Sequence, residues 1–254
     1  AGGRVIVLLG NHEAMNLMGI LRDVNPELMA VFATPQSEAL RENNYDAYVT
    51  FMGARATVLG PLLPDPLPRA EWMAAHPPGF FEYQAALGPD GTYGRWLLSK
   101  PVVAHVGDSI LLHGGLHPTK SPTDLSELTE SVRSEITTYY RYREQLVDRG
   151  VILPFFTYEE TTTAVQQELG YWVARVSPTG PPAPDDDVSL SRSERNFVNM
   201  LIGMGDMRSW AVIDTQQEGP LWFRGFARWE EDEGLLPGIS VLAAPDGFFI
   251  HPRA

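Results

Sequence analysis

The chain has 254 residues, of which 44% are hydrophobic and 20% charged, with a net charge of −13. That balance disfavours broad contact with nucleic acid or anionic membrane, whose phosphates it would repel. Cysteine is absent, which excludes disulfides and thiolate metal ligands, and no run approaches the length of a membrane span.

The chain opens at Ala1, without an initiator Met, on GGRVIVLLGNHE. Residues 5–9, VIVLL, are apolar and β-branched, and they predict a buried strand ending at Gly10. Asn11, His12 and Glu13 follow at once, and polar residues at the carboxyl end of a buried strand are how open α/β sheets build sites. A core strand so near a terminus reads as a fragment of a longer protein. Residues 14–21 predict a helix over the site, broken at Asn25-Pro26. Residues 37–51 predict a second helix, with Ala39, Leu40, Tyr45, Tyr48 and Val49 facing the core.

Residues 60–78 are proline-rich and predict a long surface excursion with one short helix around Trp72. Two short helices, 79–87 and 93–99, flank the turn Gly88-Pro89-Asp90-Gly91. Strands at 101–106 and 109–112 join through Gly107-Asp108, a hairpin signal, and the second runs into His113-Gly114-Gly115-Leu116.

Residues 124–149 form the longest helical pattern, with Asp124 and Glu127 spaced as a capping box and Gly150 as the stop. Its Tyr139, Tyr140, Tyr142, Arg141 and Arg143 read as a half-buried face with snorkelling charges. Helices follow at 158–173 and 191–204, separated by a linker at 177–187. A short strand is expected at 210–213, and an aromatic turn at 218–227.

Hydrolysis of a phosphate monoester needs positive charge on the phosphoryl oxygens, an acidified water and a proton for the leaving oxygen. Two metal ions about 3.5–4 Å apart meet the first two needs. Asn11 offers a carboxamide oxygen and His113 an imidazole nitrogen, both suited to borderline or hard ions. His12, beside the ligand but unbound, is placed to act as the acid, and Glu13 to orient the loop or fix an imidazole tautomer. Gly114-Gly115 would let the backbone pass close to metal and substrate. His105 and His117 read as structural or loop residues, and His76 carries no signal.

GNHE, the strand-terminal HGGL and the later EGPLWFRG together resemble the PPP-type, calcineurin-like metallophosphoesterases, and among them the Shewanella-like phosphatases. The resemblance implies a single α/β domain over residues 1–254, an αββα sandwich of two mixed sheets flanked by helices. It implies two divalent ions (Mn, Fe or Zn), with Asn11 and His113 as ligands of the second, His12 as catalytic acid and Arg224 gripping the substrate phosphate. It also implies GDxHG and GDxxDRG motifs ahead of Ala1, so that the chain as given holds half of a two-metal site. His251, after the apolar 247–250, stands where the family places a third histidine ligand, and reads more readily as accident. The expected substrate is a phosphorylated protein or a small phosphoester. Alternatives are a nucleotide or dinucleoside polyphosphate hydrolase of the same superfamily, and a non-catalytic remnant.

Overall fold

The computed structural model describes residues 2–116, 124–176, 190–205, 207, 210, 212 and 219–223. Among these the protein is mixed α/β and mostly helical, with one two-stranded sheet. The chain divides into two compact units. The first comprises Ala1–Met15, Trp96–Thr137 and Arg208–Ala254; the second comprises Asn16–Arg95 and Thr138–Met207. No helix among the described residues is long and apolar enough to cross a membrane.

The first unit contains the hairpin β1 (Val103–Val106) and β2 (Ser109–Leu112), antiparallel with Val103 opposite Leu112. Gly107 holds a φ of 59°, the left-handed turn conformation that a hairpin needs and glycine adopts freely. Residues 5–9 depart from expectation. They form no strand, and Val5 is 88% exposed. An apolar, β-branched run becomes a strand only when a neighbour completes its ladder. Here Leu9 N–H donates to Pro101 O at 2.9 Å, and Leu9 itself is buried.

Helix α1 (Asn11–Leu17) follows directly, and α2 (Pro26–Ala30) comes after a turn. Asn25-Pro26 therefore starts a helix rather than breaking one, because α1 already ends at Leu17. The Asn25 side chain accepts from Glu27 N–H at 2.8 Å, and Pro26 sits in the first turn, where its missing N–H costs nothing.

The second unit is built around α3 (Ser37–Leu59), which extends eight residues past its expected end. Tyr48, Met52 and Leu59 are buried along it, whereas Ala39, Leu40 and Val49 are exposed and Tyr45 is half-buried. The expected core stripe is thus only partly right. A 3-10 turn at Gly60–Leu62 leads into exposed residues 64–68, and then into α4 (Arg69–Ala75). Helices α5 (Phe80–Leu87) and α6 (Thr92–Leu98) follow as expected. The excursion carries more of the core than its prolines suggest. Trp72 is fully buried and stacks on His76, with ring centroids 4.0 Å apart; His76 in turn stacks on Phe81 at 5.6 Å. Arg41 caps the end of α4, donating to His76 O at 2.7 Å and Met73 O at 2.8 Å.

His76 is the buried titratable group of this cluster. Burial pulls its pKa below the ordinary value; the hydrogen bond of Nδ1 to Trp72 O and the charge of Glu160 oppose that, while Arg41 reinforces it. The unfolded chain therefore takes up this proton near pH 6.5, and the folded protein only at lower pH. Stability from this group is complete above about 6.5 and falls as pH drops through that value. Urea midpoints measured from pH 7.5 to 5.5 are expected to decline across this window, with a shallower decline in His76→Phe.

Helix α7 (Ser126–Asp148) buries Leu128, Val132, Ile136, Tyr139 and Leu146, a single stripe at helical spacing. Asp124 caps it by accepting from Ser126 N–H at 2.9 Å and Ser126 Oγ–H at 2.7 Å, rather than through a box with Glu127. In the second unit, Arg143 on α7 gathers the segment that follows. It donates to Phe156 O at 2.6 Å, Pro154 O at 2.8 Å and Thr161 Oγ1 at 3.0 Å.

Helix α8 (Tyr158–Val176) opens with a complete capping box. Thr157 N–H donates to Glu160 Oε2 at 2.7 Å, and Glu160 N–H to Thr157 Oγ1 at 3.2 Å. Thr157→Ala is expected to cost about 1 kcal/mol in urea unfolding. Helix α9 (Arg192–Gly205) opens the same way with Ser191 and Glu194, and it packs on α8 through Phe197, Met200, Leu201 and Met204. The α8 stripe of Thr161, Ala164 and Val165 is interrupted at Glu168. Glu168 pairs there with Arg55 of α3 and accepts from Trp172 Nε1–H at 2.9 Å. The linker expected at 177–187 lies outside the described residues, as do residues 211 and 213 of the strand expected at 210–213.

Candidate functional site

The site grows from the first turn of α1. Gly10 is the capping position and Asn11, His12 and Glu13 are the first three helical residues, with Ala14 N–H closing the turn onto Gly10 O at 3.1 Å. Glu13, three residues after the cap, reaches back and accepts from Gly10 N–H at 3.0 Å through Oε2. That is the carboxylate half of a capping box, and a negative side chain suits a helix N-terminus. Glu13 therefore fixes where the helix begins, and with it the directions of its two neighbours. Successive helical side chains diverge by about 100°. Asn11 accordingly is buried, 6% exposed, while His12 is exposed.

β2 delivers the other half. It ends at Leu112, and His113 follows with its imidazole Nε2 2.7 Å from Asn11 Oδ1. Two residues 102 positions apart in the chain thus touch through the two atoms named as candidate metal donors. The contact is a hydrogen bond in which Nε2–H donates to the carboxamide oxygen, with the proton on Nε2 assigned from that contact.

Gly10 makes this approach possible. A Cβ there would lie 3.0 Å from His113 Nδ1 and 2.6 Å from Glu13 Oε2. Gly10, the first residue of GNHE, is thus a position where the backbone approaches a facing side chain closely. Farther along the same unit, the EGPLWFRG stretch is anchored at residues 219–223. Trp222 Nε1–H donates to Val212 O at 2.6 Å, and Val212 N–H donates to Glu135 Oε2 on α7 at 3.0 Å. Leu221 and Phe223 are buried. Glu135 had no motif to mark it. Arg224 and His251, both singled out in the sequence, lie outside the described residues, as does His117. His105 sits on the exposed end of β1, opposite Ile110.

Two donors suit a metal ion only if their separation does. Cis ligands at about 2.1 Å from an ion lie about 3.0 Å apart, so Asn11 and His113 need part by only a few tenths of an ångström. Carboxamide oxygen and imidazole nitrogen fit Mn, Fe or Zn. Among the described residues no group of three or more His, Asp or Glu is placed to hold a metal ion. The described pair therefore fits one side of an ion and requires further donors.

The chain is similar to a protein phosphatase. Over 141 residues it is 30% identical to Shewanella-like protein phosphatase 2 of Arabidopsis thaliana, an alignment covering 55% of this chain and 35% of that protein. The matched region is thus about a third of the length of that relative. No family model matches the chain, and no solved structure does.

Proposed function

We propose that this chain is part of a metal-dependent phosphomonoesterase of the PPP-type, calcineurin-like class, acting on phosphorylated proteins, with residues 1–254 belonging to one metallophosphoesterase domain. The observation that carries the reading is the meeting of Asn11 Oδ1 and His113 Nε2 at 2.7 Å beside an exposed His12. The similarity to a protein phosphatase of Arabidopsis thaliana supports it.

Asn11 and His113 would hold one of two divalent ions, manganese among the candidates. Such ions, when bound, would acidify a water and neutralise phosphoryl charge. For His113 to serve, its Nε2 proton must move to Nδ1 or leave, which frees the lone pair. His12, turned out of the helix beside them, would donate an imidazole proton to the departing alkoxide oxygen. Glu13 holds the Gly10 N–H and so keeps Asn11 and His12 in register. Arg224 would grip the phosphate through its guanidinium fork.

Titration of the purified chain with Mn²⁺, followed by calorimetry, tests the ligand assignment. Asn11→Ala and His113→Ala are each expected to weaken binding by about tenfold or more. Binding unchanged in both variants would overturn it. Release of phosphate from phosphopeptides rather than from nucleotides tests the substrate class.

A further inference from the structure

The contact between Asn11 and His113 depends on backbone that neither GNHE nor HGGL contains. Leu9, just ahead of GNHE, hangs on Pro101 O through its N–H at 2.9 Å. Leu112, the residue before His113, pairs with Val103 in the hairpin. Each donor is therefore tied, through a close neighbour in the chain, to the stretch 101–103.

That stretch is held in turn by α7. Thr129 Oγ1 accepts from Val102 N–H at 3.1 Å. Pro101 C=O and Val102 N–H belong to one peptide group, which is planar and trans, so the two point in opposite directions. A single rigid plane thus bridges Thr129 on one side to Leu9 on the other. Val102 is fully buried, and without the threonine oxygen its N–H would be left unpaired. One turn farther along α7, Arg133 Nε–H donates to Leu98 O at 3.1 Å, which fastens the end of α6 without touching that peptide.

We propose that Thr129 is a positioning residue for the metal-donor pair. Its hydroxyl oxygen orients the peptide between Pro101 and Val102, and that peptide sets the separation of Asn11 Oδ1 and His113 Nε2. This role rests on the reading of Asn11 and His113 as ligands. The two atoms stand 2.7 Å apart, within a few tenths of an ångström of what one ion requires, so small movements matter. Rotation of the plane about the chain swings Pro101 O, and Leu9 follows it. A hydroxyl that served α7 alone would affect stability and leave the donors where they are.

Calorimetry with Mn²⁺ on the whole chain tests this, with urea midpoints measured beside it. Thr129→Val keeps the shape and removes the acceptor, and Thr129→Ala removes it with a better helix former. Both are expected to weaken Mn²⁺ binding by about tenfold, and Thr129→Ser, which keeps the oxygen, by less than about threefold. Arg133→Met loosens the end of α6 instead, and is expected to lower the urea midpoint while leaving Mn²⁺ affinity unchanged. An equal loss of affinity in Arg133→Met or in Thr129→Ser would overturn the proposal. So would affinity unchanged in Thr129→Val and Thr129→Ala while Asn11→Ala and His113→Ala weaken it, a result that spares the ligand assignment. If Asn11→Ala and His113→Ala leave Mn²⁺ binding intact, the ligand assignment falls, and nitrogen NMR of the His113 ring decides the role of Thr129 without metal. Those ring signals are expected to shift in Thr129→Val and to stay in place in Thr129→Ser. No shift in Thr129→Val would overturn the positioning role.

Discussion

In the complete protein, with both halves of the metal site, His12→Ala is expected to lower phosphate release by about 10²–10⁴-fold while leaving bound metal unchanged. The two halves of that outcome come from one helical turn. Asn11 points inward to His113, whereas His12, the next residue, is exposed. A side chain so placed can meet a leaving oxygen without belonging to the donor pair. Steady-state assays on a phosphopeptide, run beside metal analysis of the same samples, separate the roles. Loss of metal together with activity would make His12 a ligand. A substrate whose leaving group is already a good one, such as a nitrophenyl ester, should suffer less from the change, because it needs less protonation.

The second large effect is one of stability. Trp72→Ala is expected to cost about 3–5 kcal/mol, read as a shift in urea midpoint with unchanged slope. Trp72 is fully buried and faces His76, Phe81, Tyr45 and Tyr48 within ring-contact distance, so truncation empties the centre of an aromatic cluster. Its Nε1–H is buried without a hydrogen-bond partner among the described residues. Trp72→Phe removes that unsatisfied donor while keeping a ring, and should cost less than half as much. A loss for Phe close to that for Ala would show that the indole N–H contributes a hydrogen bond.

Periodicity made the helices legible. The stripe of α9 at Phe197, Met200, Leu201 and Met204 has the i, i+3, i+4, i+7 spacing that a sequence displays directly, and Gly107-Asp108 marked the hairpin equally plainly. The pairing of GNHE with HGGL was legible because each motif closes a local element. That the two meet is a tertiary fact, visible in the 2.7 Å contact of Asn11 with His113. Two capping signals were present and went unread. Thr157 with Glu160, and Ser191 with Glu194, have the capping-box spacing and form it, whereas Asp124 caps its helix through Ser126 instead. Other features had no local signal. Residues 5–9 have strand composition but lack a ladder, which depends on neighbours rather than on propensity. The short helix around Trp72 was expected, but the burial of Trp72 and His76 was not, because proline frequency reports the backbone's path, not what the side chains bury.

Arg143 leaves one last consequence. Residues 153–157 have no regular structure of their own, and a single guanidinium ties two of their carbonyls and the first turn of α8 together. Lysine would be a poor replacement there, since an ammonium radiates its bonds from one point and cannot span acceptors set along a planar fork. Arg143 thus adds three directed bonds to the ring packing of Phe155 and Phe156 in fastening the connection between α7 and α8, and a point charge would not reproduce them.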